Sequence, residues 1–430
     1  MKKIVLVSSI VFSGVCLSAK AQSGTNSPYS QYGLGVLSDQ SQGFNSGMGG
    51  LGIGLRGNDK LNVLNPASYS SVDSLTMVFD IGLSGQITNF SEGGKKVNAR
   101  NADFEYAIGL FRVMPKFGVS FGLLPFSNIG YSYTHQPDKK VGDAITSTDS
   151  HSGSGGLRQA FVGFGWTVFQ NVSFGANFSY LWGSYDKSIA ISSSNSYVNT
   201  IVKRYNASVS NYKLDFGLQW QNNLSKDWAM TIGATYGLGH NLKADVEAIL
   251  STTNSQSGVS EETSTTMADA LSIPHTFGVG MSFKYADNLT FGADYKLQKW
   301  GSLDYPELNN TTGEFVMKNG MYSDRHKVAV GGEWIPNKTS RHLFDRIRYR
   351  VGASFSTPYI KINGKDGPKE YSVGAGFGIP VMNVWNNGSV LNISGQWVHS
   401  SATSFITENT FRINIGLTFN ERWFMKWKVD

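Results

Sequence analysis

The residues with the greatest capacity for enzyme chemistry in this sequence all lack the context that such chemistry requires. Gly118-Val119-Ser120-Phe121-Gly122 matches the Gly-x-Ser-x-Gly pattern of serine hydrolases, but it lies inside a strand-like segment with no helix after it. The seven histidines show no metal-ligand spacing and are interpreted as loop and rim residues. The single cysteine, Cys16, lies in the N-terminal leader, so the mature chain has no thiol. We therefore expect neither an enzyme nor a bound metal or cofactor.

Nucleotide and nucleic-acid binding are also disfavoured. Gly47, Gly49 and Gly52 formally match the dinucleotide pattern Gly-x-Gly-x-x-Gly, but no strand precedes them and no helix follows. Without the three lysines of the leader, 34 of the 37 basic residues remain against 31 acidic ones, a net charge of +3. This balance is too mild to indicate nucleic acid as a partner.

Residues 1–21 have the layout of a secretory signal peptide. Lys2 and Lys3 precede an apolar stretch, and Ala19-Lys20-Ala21 has the small-x-small form of a cleavage site. We therefore predict that the mature chain begins at Gln22. A lipid anchor on Cys16 is the alternative, but Val15 stands where that signal requires a small residue.

The elements that must position any functional residue are long strands with one apolar face. From Leu75 to Thr88 every odd position holds an apolar residue or glycine, and this period of two returns thirteen more times. The second segment is expected to turn its apolar residues toward lipid; they are Phe104, Tyr106, Ile108 and Leu110. After the leader no run of about 20 apolar residues exists, and a closed barrel is the other architecture that pairs every backbone group in lipid.

The sequence therefore predicts an all-β fold, a 14-stranded antiparallel transmembrane β-barrel over residues 75–420, followed by a periplasmic tail at 421–430. Charged residues occupy the opposite phase of the strands, and turning one arginine toward mid-bilayer costs about 2–4 kcal/mol. A soluble two-sheet sandwich also alternates, but it predicts shorter strands and no alternation in the length of connections.

Short connections alternate with long ones, which predicts an outer-membrane barrel with both termini in the periplasm. The segments 186–204 and 241–270 are expected to be loops that cap the outer mouth. Tryptophans are expected to form an aromatic girdle at the periplasmic ends of the strands; they are Trp166, Trp220, Trp228 and Trp334.

Residues 22–74 lack either period and are rich in Gly, Ser and Asn. This stretch ends with Asn65-Pro66-Ala67 just before the first strand, and Tyr349-Arg350-Val351-Gly352 leads to Ser356-Thr357-Pro358. In these features the chain resembles the FadL family of outer-membrane long-chain fatty acid transporters. The resemblance implies fourteen strands and an N-terminal segment that folds inside the barrel as a hatch, here residues 22–74. The tail at 421–430 departs from the family, whose barrels end at an aromatic residue, here Phe419.

The alternation is inverted in the third strand. Leu124 and Phe126 fall on the lumen phase, Ser127 falls on the lipid phase, and Pro125 between them cannot donate to the ladder. The resemblance implies a kink here that opens the wall sideways, and we assign it to Leu124, Pro125, Phe126, Ser127, Asn128 and Gly130. The alternative is an ordinary bulge near the rim.

A ligand with a carboxylate would need a cation in the lumen. Arg348, Arg350 and Arg412 are the candidates, and pairing with lumen acids such as Glu333 and Asp80 is the alternative for each of them.

These observations predict passive uptake of hydrophobic or amphipathic, fatty-acid-like small molecules. The expected partners are such a ligand and outer-membrane lipid. Two other classes of function stay open. A FadL-like barrel can act as a surface shuttle or scaffold for a secreted protein, and a porin for polar solutes would conduct ions.

Overall fold

The computed structural model of the chain describes residues 24–74, 76–136, 146–308, 315–381, 388–403 and 405–421. The predicted leader, 1–21, and residues 422–430 of the predicted tail lie outside the described residues. Strands dominate the described part. Among these residues no helix is long and apolar enough to cross a membrane.

Fourteen long strands follow the N-terminal segment. They are β1 (Met77–Glu92), β2 (Lys95–Met114), β3 (Phe117–His135), β4 (Ser147–Thr167), β5 (Val172–Ser193), β6 (Thr200–Asn223), β7 (Trp228–Gly237), β8 (Thr276–Tyr285), β9 (Leu289–Gln298), β10 (Arg325–Trp334), β11 (Arg348–Ser356), β12 (Lys369–Val381), β13 (Ser389–Ser401) and β14 (Thr407–Glu421).

Each strand pairs antiparallel with the next, and the last pairs with the first, which closes the ring. The closing ladder places Phe419 of β14 opposite Phe79 of β1. Because a closed ring has no free edge to pair with another chain, every backbone group in a complete ladder is satisfied. The predicted 14-stranded barrel is confirmed.

The two faces of the wall differ as the alternation predicts. Outward residues such as Val162 and Phe178 are largely exposed, whereas inward residues such as Asp80, Ser120 and Glu333 are buried. An exposed apolar belt around a closed barrel is the surface that lipid covers.

The second strand contradicts the predicted phase. Tyr106, Ile108 and Leu110 point inward and are buried, because a register shift opposite Gly82 and Leu83 places one extra residue in β2. Gly82 makes room for the ring, since a Cβ there would lie 2.2 Å from Cε1 of Tyr106.

The two rims of the barrel differ in their connections. On one rim, the short-turn side, the connections include the turns 115–116, 168–171, 224–227 and 286–288 and one longer segment, 335–347; on the other, the long-loop side, they include 238–275 and 299–324 and one short turn, 93–94. The four predicted girdle tryptophans all lie near the short-turn side, with 36–52% of their surface exposed.

The segments predicted as capping loops are largely strands. Residues 186–193 and 200–204 prolong β5 and β6, and the hairpin Val246–Thr253 and Ser260–Met267 continues the sheet along β6. They therefore raise the barrel wall on the long-loop side. The remaining small elements are the strands His240–Leu242, Leu271–Ile273, Tyr305–Leu308, Phe315–Lys318, Lys361–Ile362 and Lys365–Asp366, the 3-10 helix Trp300–Ser302 and the helix Leu343–Arg346.

The N-terminal segment, residues 24–74, packs against inward faces on opposite sides of the ring. Its elements are the 3-10 helices Pro28–Gln31, Ser46–Met48 and Pro66–Ser71 and the strand Val36–Leu37. Pro66–Ser71 contacts β3 to β6, whereas Ser46–Met48 contacts β10 to β13. The segment therefore lies in the bore of the barrel. Glycines in the wall allow this approach, since a Cβ at Gly175 would lie 2.4 Å from the carbonyl carbon of Pro66.

Candidate functional site

The wall of the barrel is incompletely paired between β2 and β3. Their ladder runs from Met114 and Phe117 to Ala107 and Leu123, and no further pair joins these two fully described strands. Beyond that point, residues 95–106 of β2 pair with β1, and residues 124–135 of β3 pair mainly with β4. We call this unpaired stretch, residues 95–106 against residues 124–135, the seam.

The seam begins where proline enters β3. Pro125 has no N–H to donate, and it lies two residues beyond the last pair of the β2–β3 ladder. The ladder with β4 also shifts its register between Pro125 and Ser127, so that Phe126 is the extra residue of a bulge. β3 is thus irregular at the point where its ladder with β2 ends. An ordinary bulge, the alternative interpretation, would not require the ladder to end.

The free edge of β3 is covered from inside by the N-terminal segment. Val36 pairs with Asn128, Leu37 pairs with Ser127, and the backbone N–H of Ser38 donates to the carbonyl oxygen of Phe126 at 3.0 Å. This pairing gives β3 backbone groups the partners that β2 does not supply. Ser127, expected on the lipid phase, is instead fully buried.

The bend in β3 continues into the next two strands through glycines. Gly155 and Gly156 of β4 and Gly183 of β5 have φ values of +119°, +139° and +147°, which L side chains rarely adopt. A Cβ on Gly156 would lie 2.4 Å from the carbonyl oxygen of Ser127. The kink is therefore part of a line of irregular backbone across β3, β4 and β5.

The first of two cavities near the kink lies between the N-terminal segment and the wall from β6 to β10. Its apolar lining includes Leu37, Ile53, Leu64 and Phe126, the last from the kink.

Cations line the same cavity; they are Lys213, Lys296, Arg325 and Lys327. Lys327 pairs with Asp39 at 2.5 Å, and Lys213 pairs with Asp215. Among the described residues no carboxylate lies within ion-pair distance of Lys296 or Arg325. The lining of the cavity therefore combines apolar side chains with two cations, Lys296 and Arg325, that are not in an ion pair with any described residue.

The second cavity lies directly behind the seam. Asp103 of β2 and Asn128 of β3 both line it, together with Gly24, Leu37 and Arg412. Leu37 lines both cavities, so the two spaces meet at the short strand that covers β3.

Two of the three cations predicted from the sequence are committed to ion pairs. Arg350 donates to Glu333 at 2.8 Å, and Lys60 of the N-terminal segment reaches the same carboxylate at 2.7 Å. Arg348 pairs with Asp59, also of the N-terminal segment, at 2.6 Å. These two arginines therefore pair with acidic side chains, the alternative to binding the carboxylate of a ligand. Their ion pairs anchor the N-terminal segment to the wall.

The third predicted cation, Arg412, lies by the second cavity and donates to Gln86 at 3.0 Å. Sequence reasoning did not single out Lys296 and Arg325. For Lys296 a signal was present, since it falls on the lumen phase of a predicted strand, but the phase alone does not separate a paired cation from an unpaired one.

The Asn65-Pro66-Ala67 motif fastens the N-terminal segment to the wall. The Asn65 side chain accepts from the backbone N–H of Ala67 at 3.1 Å and so caps the 3-10 helix that Pro66 begins. The same amide donates to the carbonyl oxygens of Ile53 at 2.8 Å and of Leu218 in β6 at 3.2 Å. Its role here is structural.

The serine of the hydrolase-like pattern is not placed as a nucleophile. Ser120 is fully buried in β3, and its hydroxyl donates to the carbonyl oxygen of Gly109 at 2.9 Å. Within the described ranges, no group of three or more His, Cys, Asp or Glu residues is arranged to hold a metal ion.

Solved structures share this architecture over nearly their full length. The Pseudomonas aeruginosa FadL homologue aligns with a TM-score of 0.62 at 13% identity, covering 89% of this chain and 98% of its own. The toluene transporters TodX of P. putida and TbuX of Ralstonia pickettii align with TM-scores of 0.61 and 0.60, at 15% and 13% identity. Each covers 91% of this chain and 99% of its own. No curated protein sequence matches at a significant level.

A closed ring of fourteen strands with this likeness shows that the chain has the fold of the FadL-like β-barrels. The family follows from the sequence as a whole. The sequence profile of the BamG family matches residues 1–430, and the chain belongs to that family.

Proposed function

We propose that this protein is an outer-membrane channel for passive uptake of hydrophobic or amphipathic, fatty-acid-like small molecules. In this proposal the ligand enters the plugged lumen and leaves sideways into the bilayer through the seam. Residues 22–74 act as the hatch, residues 75–420 form the barrel, and both termini face the periplasm. The observation that carries the proposal is the end of the β2–β3 ladder at Leu123, directly beside two cavities.

The lateral route follows from the physical chemistry of the ligand. Transfer of a hydrophobic solute from water into hydrocarbon is favourable. A water-filled path through the barrel therefore offers such a solute no advantage over an exit into the bilayer. The first cavity has apolar walls near Phe126 and the unpaired cations Lys296 and Arg325, a combination that suits an amphiphile with an anionic head. Proteins of the same fold that are described as toluene transporters support the hydrophobic class of ligand.

The kink is tested by Pro125→Ala. Alanine restores an N–H in β3, so the strand is expected to straighten and the seam to narrow. Uptake of a neutral fluorescent hydrophobic probe by proteoliposomes should fall about tenfold, equivalent to about 1.4 kcal/mol in the barrier. Pro380→Ala is the matched control, because Pro380 also stands within a strand but lies in β12, away from the seam. Equal uptake by Pro125→Ala and the wild type would contradict the lateral route.

Three outcomes separate this function from its rivals. A small amphiphile found by mass spectrometry of the purified protein supports uptake. Capture of a large secreted protein, with unchanged hydrophobic uptake in a deletion strain, would favour the shuttle role instead. Ion conductance of the reconstituted barrel would favour a porin.

A further inference from the structure

Where the backbone ladder between β2 and β3 is missing, a chain of side chains crosses the seam. The Asn128 amide of β3 donates from Nδ2 to Oδ2 of Asp103 in β2 at 2.8 Å. On its other side, Oδ1 of Asn128 accepts from Nη1 of Arg158 in β4 at 2.8 Å. Three neighbouring strands are thus joined through one amide at the height of the gap.

An asparagine suits this position because its two ends have opposite polarity. The amide nitrogen donates to a carboxylate, and the amide oxygen accepts from a guanidinium. Both hydrogen bonds involve a charged partner, and such bonds are shorter and stronger than those between neutral groups. Arg158 also donates to the carbonyl oxygen of Ser127 at 3.2 Å, which fastens the bridge to the kink itself.

The start of the described chain closes over the same bridge. Gly24 lies against Asp103, since a Cβ on Gly24 would be 1.9 Å from the Asp103 carboxylate. The carbonyl oxygen of Gly24 accepts from Gln86 of β1 at 3.0 Å. The second cavity lies directly behind, with Gly24, Asp103 and Asn128 in its lining. Parting Asp103 from Asn128 would therefore connect that cavity with the outside of the wall.

We propose that Asp103, Asn128 and Arg158 form a latch that holds the seam closed and that separates the second cavity from the bilayer. This inference rests on the proposed function, since it names the residues that control the lateral exit. The three act as positioning residues: they hold β2 and β3 together, and the passage of ligand depends on their separation.

The test uses Asn128→Asp, which places a carboxylate against Asp103 and is expected to part them. Adding Asp103→Asn restores the bridge with its polarity reversed, because an asparagine at 103 donates to the carboxylate at 128 while Arg158 still pairs with it. Asn211→Asp is the matched control, the same change in β6, where residue 211 pairs with Leu181 of β5 and lies away from the seam.

Opening is measured directly with a single reporter cysteine. The only cysteine of the sequence, Cys16, lies in the predicted leader, so Ser41→Cys, in the wall of the second cavity, gives one labelling site in the barrel. The barrel variants in lipid vesicles are treated with a maleimide on a lipid tail, and a water-soluble maleimide reports aqueous access separately. Labelling from the bilayer should rise about tenfold in Asn128→Asp, the factor expected for one hydrogen bond to a charged group. It should return to the wild-type level in the double variant and stay there in Asn211→Asp.

Equal labelling from the bilayer in Asn128→Asp and the wild type would overturn the latch. So would equally raised labelling in the single and double variants, because restoring the bridge should reverse the effect. Raised bilayer labelling with reversal, but unchanged uptake of a neutral hydrophobic probe, would support the latch and count against the proposed uptake route. The two proposals can therefore fail separately.

Discussion

The N-terminal segment is attached to two sides of the barrel in different ways. Against β9 to β11 it is held by charge: Lys60 shares the Glu333 carboxylate with Arg350, and Asp294 accepts the backbone N–H groups of Gly52 and Ile53 at 2.6 and 2.7 Å. Against β3 it is held without charge, by the two-residue strand Val36–Leu37, by the Ser30 hydroxyl on the backbone of Gly130, and by packing of Leu34 with Ile129.

The difference indicates which part of the segment can move. Breaking a buried ion pair leaves a charge in a medium that solvates it poorly, so the β9–β11 attachment is costly to release. Backbone hydrogen bonds to an edge strand are exchanged for bonds to water at small net cost. We therefore expect the pairing of residues 36–37 with β3 to open more readily than the attachment of residues 46–74.

Glu333→Gln is expected to have the largest effect, a loss of stability at the charged attachment of the N-terminal segment. The change leaves Lys60 and Arg350 buried without their shared counter-ion, and removing one partner of a buried pair costs about 3–5 kcal/mol. Denaturant unfolding in lipid vesicles measures the loss, and limited proteolysis should show cleavage within residues 46–74. Glu307→Gln is the control, because Glu307 pairs with Lys318 in an exposed hairpin where a pair contributes about 0–1 kcal/mol. Equal losses in the two variants would contradict the anchoring role.

Gly352→Ala tests the close packing on the same side. A Cβ there would lie 2.2 Å from the carbonyl carbon of Met48, so Ser46–Met48 must shift away from β11. Overpacking of this kind costs about 1–3 kcal/mol. Gly85→Ala serves for comparison, since nothing lies within 4 Å of the new methyl group. Thermal unfolding in detergent that ranks the two variants equally would show that Gly352 is not needed for the approach.

Ser38→Pro should have the smallest effect on stability, and it tests whether the attachment to β3 opens independently of the attachment at residues 46–48. Proline removes the N–H that donates to Phe126, a loss of about 0.5–1.5 kcal/mol. Amide exchange should accelerate at residues 36–37 while residues 46–48 keep their protection. Ser38→Ala keeps the backbone donor and should leave both regions as in the wild type. Faster exchange at residues 46–48 in the proline variant would mean that the segment moves as one body.

Much of the barrel follows from the sequence because lipid and lumen impose opposite polarities on alternate residues. β1 and β14 have that contrast along their length, and their facing was predicted correctly. β2 was not, because Tyr106, Ile108 and Leu110 are compatible with lipid and equally with a packed interior. They pack with Leu61 and Tyr69 of the N-terminal segment, and no period in the sequence reveals a plug that is itself apolar.

The candidate site was predictable in part for a similar reason. Pro125 marks a break in β3 without any knowledge of its neighbours. The missing ladder depends on β2 and β3 together and cannot be read from one of them. The register shift between β1 and β2, close to the end of that ladder, also leaves no mark in the sequence. The partners of Arg348 and Arg350 were equally hidden, since Asp59 and Lys60 lie in a stretch without periodicity and only the fold brings them to the wall.

The strands of the barrel wall reach unequal heights above the membrane, and this makes the two flanks of the outer mouth different. β6 has 24 residues, which at about 3.4 Å per residue and a tilt of about 40° rise roughly 60 Å, well above an apolar band about 25 Å tall. β7 to β10 have 10 residues each and, by the same geometry, span little more than that band. The paired strands of the wall therefore rise high above the membrane at β6 and end near its surface at β7 to β10. The long connections 238–275 and 299–324 join these short strands, so the mouth is bounded by those connections on one flank and by paired strands on the other.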